Sequence, residues 1–196
     1  MTGWDEGQWL NPPVSVVADG EHLLVTAAEG SDFWRTTSYG FVHDDGHALL
    51  APLPVGSATE VDFVLDYDQT YDQAGVLVRV EETSWVKAAV EHSDGAPQLG
   101  AVVTRDVSDW SVAPVNQWFG AVVTIRVSRA GDALTVRAHA EDGAWRLVRV
   151  APLDPDATVN AGPLLCAPTR AGLTVRFTRW ATGPADEHLH GDPVYS

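Results

Sequence analysis

Residues 71–91 read YDQAGVLVRVEETSWVKAAVE, and how this stretch folds decides the rest of the chain. Side chains alternate across a strand, so Ala74, Val76, Val78 and Val80 make one purely apolar face, with Gln73, Gly75, Leu77 and Arg79 opposite. In the second run Trp85, Lys87, Ala89 and Glu91 share a face, and Val86, Ala88 and Val90 take the other. A loop with an odd number of residues, centred on Glu82, makes the two polar faces coincide. It sets Gln73 beside Glu91, Leu77 beside Lys87 and Arg79 beside Trp85. A one-residue slip would bury Lys87 and Glu91 among valines, at a cost of roughly several kcal/mol, so the matched register is expected.

The same alternation recurs on both sides. Val14–Val17 and His22–Ala27 flank Asp19-Gly20, a dipeptide suited to a tight hairpin. Further strands are expected at Ala48–Leu53, Val61–Tyr67, Leu99–Thr104, Gly120–Ser128, Ala133–Ala140, Trp145–Val150 and Leu173–Trp180, each bounded by turn-forming residues. Short connections demand antiparallel pairing, since parallel strands would need crossover elements that are missing. The fold class expected is all-β, an antiparallel two-sheet jelly-roll sandwich. No fixed-period repeat and no linker divides the chain, so residues 1–182 are expected to form one sandwich domain. Residues 183–196 turn polar and carry Gly and Pro, as an extended C-terminal tail would.

The 196 residues include 12 Lys or Arg against 27 Asp or Glu, a formal charge of −15. Such a field repels phosphate backbones and anionic bilayers, so neither nucleic acid nor membrane is an expected partner. An acidic surface also keeps a protein soluble with no partner at all. The N-terminal residues lack the basic and apolar regions of a secretory signal, and no run reaches the roughly 18 apolar residues of a membrane span. The expected compartment is cytoplasmic. Cys166 stands alone, which excludes an internal disulfide and a cysteine-rich zinc site. It reads as a small buried or pocket-wall residue. His43, Asp44, Asp45 and His47, or His188 and His190, do not match the spacing of a known metal motif, so no metal and no cofactor is expected.

The polar face of the 71–91 hairpin has two readings. A solvated outer surface with ordinary cross-strand ion pairs is one. A concave sheet lined by Gln73, Lys87 and Glu91 is the other, with Gly75 and Ala89 leaving room for a ligand to approach the backbone. Tryptophans occur in SDFWR (31–35), SDWS (108–111) and NQWF (116–119). Their rings can stack on the C–H faces of sugars while nearby Asp, Asn and Gln bond the hydroxyls, although Trp is also simply a large core residue. The expected ligand-binding set is Asp32, Trp34, Gln73, Trp85, Lys87, Glu91, Thr104, Asp109 and Trp110. Were there turnover, Glu91 would be the general acid or base and Lys87 would stabilise developing negative charge.

DFW (32–34), YDQAGVLVR (71–79), WVKAAVE (85–91), VVTRDVSDWS (102–111) and LLCAP (164–168) resemble the DUF1349 family in order and spacing, from about Trp4 to Trp180. The resemblance implies a concanavalin A-like lectin/glucanase sandwich and, from some members, a regulatory role linked to enolase. Ala89 stands where the family often has Gly. Glucanases of that superfamily carry ExDxxE on one strand for retaining hydrolysis, and here Glu60 and Asp62 are followed by Leu65, so that chemistry is not expected. The leading expectation is a binding domain for a sugar or sugar-like metabolite. The alternatives are a small-molecule isomerase, lyase or hydrolase, and an acidic protein-interaction module.

Overall fold

The computed structural model describes residues 3–193. In chain order the strands are β1 (Gln8–Leu10), β2 (Ser15–Asp19), β3 (His22–Thr26), β4 (Phe33–Arg35), β5 (Val42–Asp44) and β6 (His47–Pro52). There follow β7 (Ser57–Val64), β8 (Gln73–Glu81), β9 (Ser84–Ser93), β10 (Ala96–Arg105) and β11 (Val107–Pro114). The last five are β12 (Val122–Ala130), β13 (Ala133–Ala140), β14 (Arg146–Pro152), β15 (Asn160–Cys166) and β16 (Thr174–Pro184). They form two seven-stranded antiparallel sheets, ordered β1-β6-β15-β8-β9-β10-β11 and β14-β13-β12-β7-β16-β3-β2, plus the small β4-β5 pair.

The core lies between the two sheets. Val76, Val78, Val86 and Val90 of the first meet Val61, Phe63, Ile125, Val136 and Phe177 of the second, all buried. Each such side chain contributes roughly 1.5–3 kcal/mol relative to exposure. The jelly-roll sandwich expected from the alternation is the observed fold.

The decisive hairpin pairs as anticipated: Gln73 opposite Glu91, Leu77 opposite Lys87, Arg79 opposite Trp85. The mechanism differs from the odd-loop argument. A bulge between Arg79 and Glu81 absorbs the extra residue, and Glu81 pairs with Ser84 across a two-residue turn. A bulge shifts register as an added loop residue would, so the faces still coincide. At the next reversal Asp94 and Gly95, with φ of 54° and 76°, form the two-residue connection that right-twisted strands favour.

Several strands escaped the alternation. β15 is central, between β6 and β8, yet contains Gly162-Pro163, a pair that argues against an interior strand. Its pairing with β6 skips these two residues, so the missing proline N–H interrupts no bond on that side. A Cβ on Gly162 would sit 2.0 Å from the Leu49 carbonyl oxygen. Gly75 behaves alike: a Cβ there would meet the Ala88 carbonyl oxygen at 2.0 Å. The space left by Gly75 is thus taken by the neighbouring strand, which corrects the expectation that it admits a ligand. Gly75→Ala is expected to destabilise by about 1–3 kcal/mol, read as a lowered midpoint of chemical unfolding.

Beyond residue 182 the chain continues as strand to Pro184, and Asp186 then docks on the outer face of the second sheet. Its carboxylate accepts from Arg126 Nε at 2.8 Å and from Arg137, both arginines being buried. The residues first read as a tail are therefore held, at least as far as Leu189, whose carbonyl accepts from Arg137. Two buried guanidinium groups require an anion, which the polar composition of this segment supplies.

Candidate functional site

The polar face of β8 and β9 points away from the inter-sheet core, but it is not a bare sheet surface. The β4-β5 pair folds across it. Phe33 lies edge-on to Trp85, with ring centroids 5.8 Å apart, and packs with Leu77, Leu164 and Cys166 in a second, smaller core. Gly46 is required beneath this flap, since a Cβ would come within 2.4 Å of the Phe33 ring. Polar bonds pin the flap at its base. Arg79 grips both carboxylate oxygens of Asp44, the Arg35 amide donates to Ser108 Oγ at 2.9 Å, and that hydroxyl pairs with Thr104 at 2.9 Å.

Where the flap ends, a cavity of about 150 Å³ remains. Asp32, Lys87 and Glu91 supply its charged groups, and Trp34, Tyr39, Phe41, Tyr71 and Trp110 its aromatic walls. Gln73 lines an adjoining recess with Lys87, Glu91, Gln98 and Trp110. Asp32 is the organising residue. Its Oδ1 accepts from Lys87 Nζ at 2.9 Å, Gln73 Nε2 at 3.2 Å and the Phe33 amide at 2.7 Å. Its own amide donates to Asp45 Oδ1 at 3.0 Å. The turn entering β4 thereby lowers a carboxylate onto the middle of β9, where it pairs a lysine whose side chain is 4% exposed.

Burial alone would pull the Lys87 ammonium down, but Asp32, Cys166 and Glu91 outweigh it and hold its pKa above the ordinary value. Glu91 is pushed up, first by burial and then by Asp32, with Lys87 opposing. The Cys166 thiol is raised well above its usual range by burial, so it is inert packing rather than a nucleophile.

Of the nine expected binding residues, Asp32, Trp34, Gln73, Lys87, Glu91 and Trp110 converge on this cavity and its recess. Trp85 and Thr104 share the same sheet face, but Trp85 is buried under Phe33 and the Thr104 hydroxyl is engaged with Ser108. Asp109 is a correction. SDWS is part of β11, where neighbouring side chains point to opposite faces, so Trp110 and Asp109 cannot both reach the pocket. Asp109 is 68% exposed and pairs with Arg149 of the other sheet at 3.1 Å. Glu60 and Asp62 also lie on the other sheet, where Arg126 and Arg179 engage them.

Five wall residues were not anticipated: Tyr39, Phe41, Tyr71, Val102 and Pro168. Tyr39 and Phe41 stack at 5.3 Å at the flap tip, and Trp34 stands edge-on to both Tyr39 (5.5 Å) and Trp110 (6.2 Å). The period-2 spacing of Tyr39, Phe41 and His43 was the available signal. Tyr71 is held at φ +67°, a left-handed conformation disfavoured for a bulky side chain. Its amide donates to the His92 carbonyl at 2.7 Å. Beside it, Arg170 pairs with the fully buried Asp72 and ties the Pro168 loop to the same turn. The cluster His43 to His47 disperses: His43 contacts Asp45, Asp44 takes Arg79, and His47 bridges the Ala28 amide and the Asn11 carbonyl.

Two seven-stranded antiparallel sheets, with an aromatic-walled pocket on the outer face of one, define a β-sandwich protein of jelly-roll type. Within that type the chain belongs to the family described as "Protein of unknown function (DUF1349)", whose model matches residues 9–185. It is 36% identical over 190 residues to "Regulation of enolase protein 1" of Saccharomyces cerevisiae, covering 96% of both chains. A crystal structure of a functionally unknown protein from Saccharomyces cerevisiae superposes with a TM-score of 0.86 at 35% identity, over 92% of this chain and 97% of that one. A Bauhinia forficata lectin in complex with GalNAc shares the fold alone, with a TM-score of 0.57 and 12% identity over 91% of this chain and 92% of the lectin. No helix among the described residues is long and apolar enough to cross a membrane.

Proposed function

We propose that this protein binds a sugar or sugar-like small metabolite in the cavity between the β4-β5 flap and the β9-β10-β11 face, and acts in the cytoplasm as a binding or regulatory domain. One observation carries the reading: Asp32, Lys87 and Glu91 meet on the floor of a cavity whose walls are five aromatic rings. Aromatic faces stack on the C–H surface of a sugar ring, and the polar floor can bond its hydroxyls. At about 150 Å³ the cavity lies below the roughly 300–1,000 Å³ typical of drug-sized ligands, which favours one sugar unit over a chain. The lectin likeness supports the choice of ligand class, since that protein is seen with GalNAc.

Isothermal titration of the full chain with a panel of monosaccharides and short oligosaccharides tests this. Binding of at least one monosaccharide is expected, weakened about tenfold or more in Trp110→Ala through loss of a stacking wall. Absence of heat with every sugar, from a sample with native unfolding behaviour, would discard the sugar.

A small-molecule enzyme is the second reading, favoured by a Glu91 carboxyl raised by burial beside an ammonium group. In that reading Glu91 exchanges a proton with the substrate and Lys87 steadies the charge that develops. Substrate consumption that disappears in Glu91→Gln would replace the binding domain by an enzyme.

A further inference from the structure

The charges around the cavity do not balance, and the imbalance says something about the ligand. Asp32, Lys87 and Glu91 are the charged residues of the lining, two carboxylates to one ammonium. The ammonium is engaged by Asp32 at 2.9 Å. Among the described residues Glu91 forms no ion pair, although it lines both the cavity and the adjoining recess. An unmatched buried acceptor lies beside it. Gln73 is 1% exposed, and its Nε2 donates to Asp32 Oδ1 and to the Tyr71 carbonyl, which fixes the orientation of the amide. Gln73 Oε1 is left buried without a partner on the recess wall. Buried acceptors in native proteins are normally satisfied, so Gln73 Oε1 marks where a donor is missing, next to a Glu91 carboxylate that no ion pair neutralises.

The walls favour the same kind of group. Trp34 stands at 89° to Trp110 and at 70° to Tyr39, so the rings enclose the cavity from several sides. Aromatic faces are negative and attract cations within about 6 Å of the ring centroid. Tyr71 contributes to this wall from a left-handed backbone, a conformation retained at functional sites where the surroundings enforce it. An anionic ligand would instead meet two carboxylates, a lysine already engaged and a chain of net charge −15.

We infer that the ligand of this pocket carries an ammonium group, as an amine-bearing sugar does, with Glu91 as its counter-ion and Gln73 Oε1 as a further acceptor. This rests on the reading of the cavity as a small-molecule site. It adds charge to that reading: the amine form of a sugar should be selected over the neutral and the acidic forms.

Glucosamine, glucose and glucuronate present the three charge types on one ring, and tetramethylammonium presents the cation without the sugar. Titrating each into the full chain at pH 7, while following the tryptophan indole N–H resonances, separates the possibilities. Glucosamine is expected to bind about tenfold more tightly than glucose, with glucuronate weakest. In Glu91→Gln the preference for the amine should fall toward unity. Equal affinity for glucosamine and glucose, or tighter glucuronate, overturns the ammonium while leaving the sugar pocket in place. Indole shifts with tetramethylammonium that are lost in Glu91→Gln, without a response to any sugar, uphold the ammonium and discard the sugar. No response to any of the four probes overturns the ammonium, and a neutral oligosaccharide that still binds would keep the pocket reading alive.

Discussion

Lys87→Met is expected to destabilise the protein by about 3–5 kcal/mol at pH 7 and to abolish ligand binding. Methionine fills a similar volume, so little of this loss is packing. The loss is electrostatic. Among the described residues Lys87 is the one cation paired with Asp32, and without it Asp32 and Glu91 confront each other across the cavity floor with no positive charge between them. The wild-type ammonium has a pKa raised above 10.5, so its stabilising contribution is complete below that value and is lost only as the pH climbs through the folded-state pKa. At pH 7 the whole contribution is at stake. Glu91 sets the acid side: its pKa is already raised above 4.5, and removing Lys87 takes away the stronger of the two neighbours, Lys87 and Ser93, that lower it. A raised carboxyl favours the fold below its unfolded pKa and loses that advantage as the pH rises through the folded one. The deficit of the variant should therefore shrink from pH 7 toward pH 4. Urea unfolding at both pH values reads it directly. A loss below about 1 kcal/mol, the same at both, would mean that Lys87 belongs to a solvated surface pair.

That contest between a solvated face and a lined cavity is where the sequence stopped being informative. The register was legible because burying Lys87 and Glu91 among valines is costly, and the bulge that sets it leaves the same residues opposed. Gln73, Lys87 and Glu91 could be placed together because period 2 and one hairpin are local facts. What covers them was not. The flap closes through contacts between residues far apart in the chain, such as Arg79 with Asp44 and the Arg35 amide with Ser108. No spacing rule reports such contacts, and without the flap the walls formed by Tyr39 and Phe41 have no location. Asp109 went astray for a simpler reason. SDWS has the composition of a loop, and a loop places no constraint on which side each residue faces; as part of β11 it sends Asp109 and Trp110 opposite ways. β15 escaped because Pro163 argues against an interior strand, a rule that this strand satisfies on its β6 side by leaving Gly162 and Pro163 unpaired.

Asp186→Asn should also cost about 3–5 kcal/mol, although it lies on the opposite sheet from the pocket, beyond the region first read as the folded domain. Arg126 and Arg137 project from β12 and β13 onto the outer face of the second sheet and are 3% and 2% exposed. Arg126 has Glu60 as one partner at 2.8 Å and the Pro184 carbonyl as another at 2.7 Å. Arg137 has the Asp186 carboxylate and the carbonyls of His188 and Leu189. The Asp186 amide in turn donates to the buried Ser128 hydroxyl at 2.8 Å, which fixes the carboxylate between the two guanidinium groups. Neutralising Asp186 leaves Arg137 with carbonyl acceptors alone, inside a region that water does not reach. A cost of this size arises from an unpaired buried charge and not from the worth of the pair. Two consequences separate this account from loss of tail packing. The double variant Asp186→Leu with Arg137→Met removes the charge together with its partner and should recover most of the loss. Moderate salt should change neither value much, because a buried pair is screened far less than a surface one. If the double variant is as unstable as Asp186→Asn, the segment after Pro184 stabilises by covering the sheet rather than by neutralising Arg137.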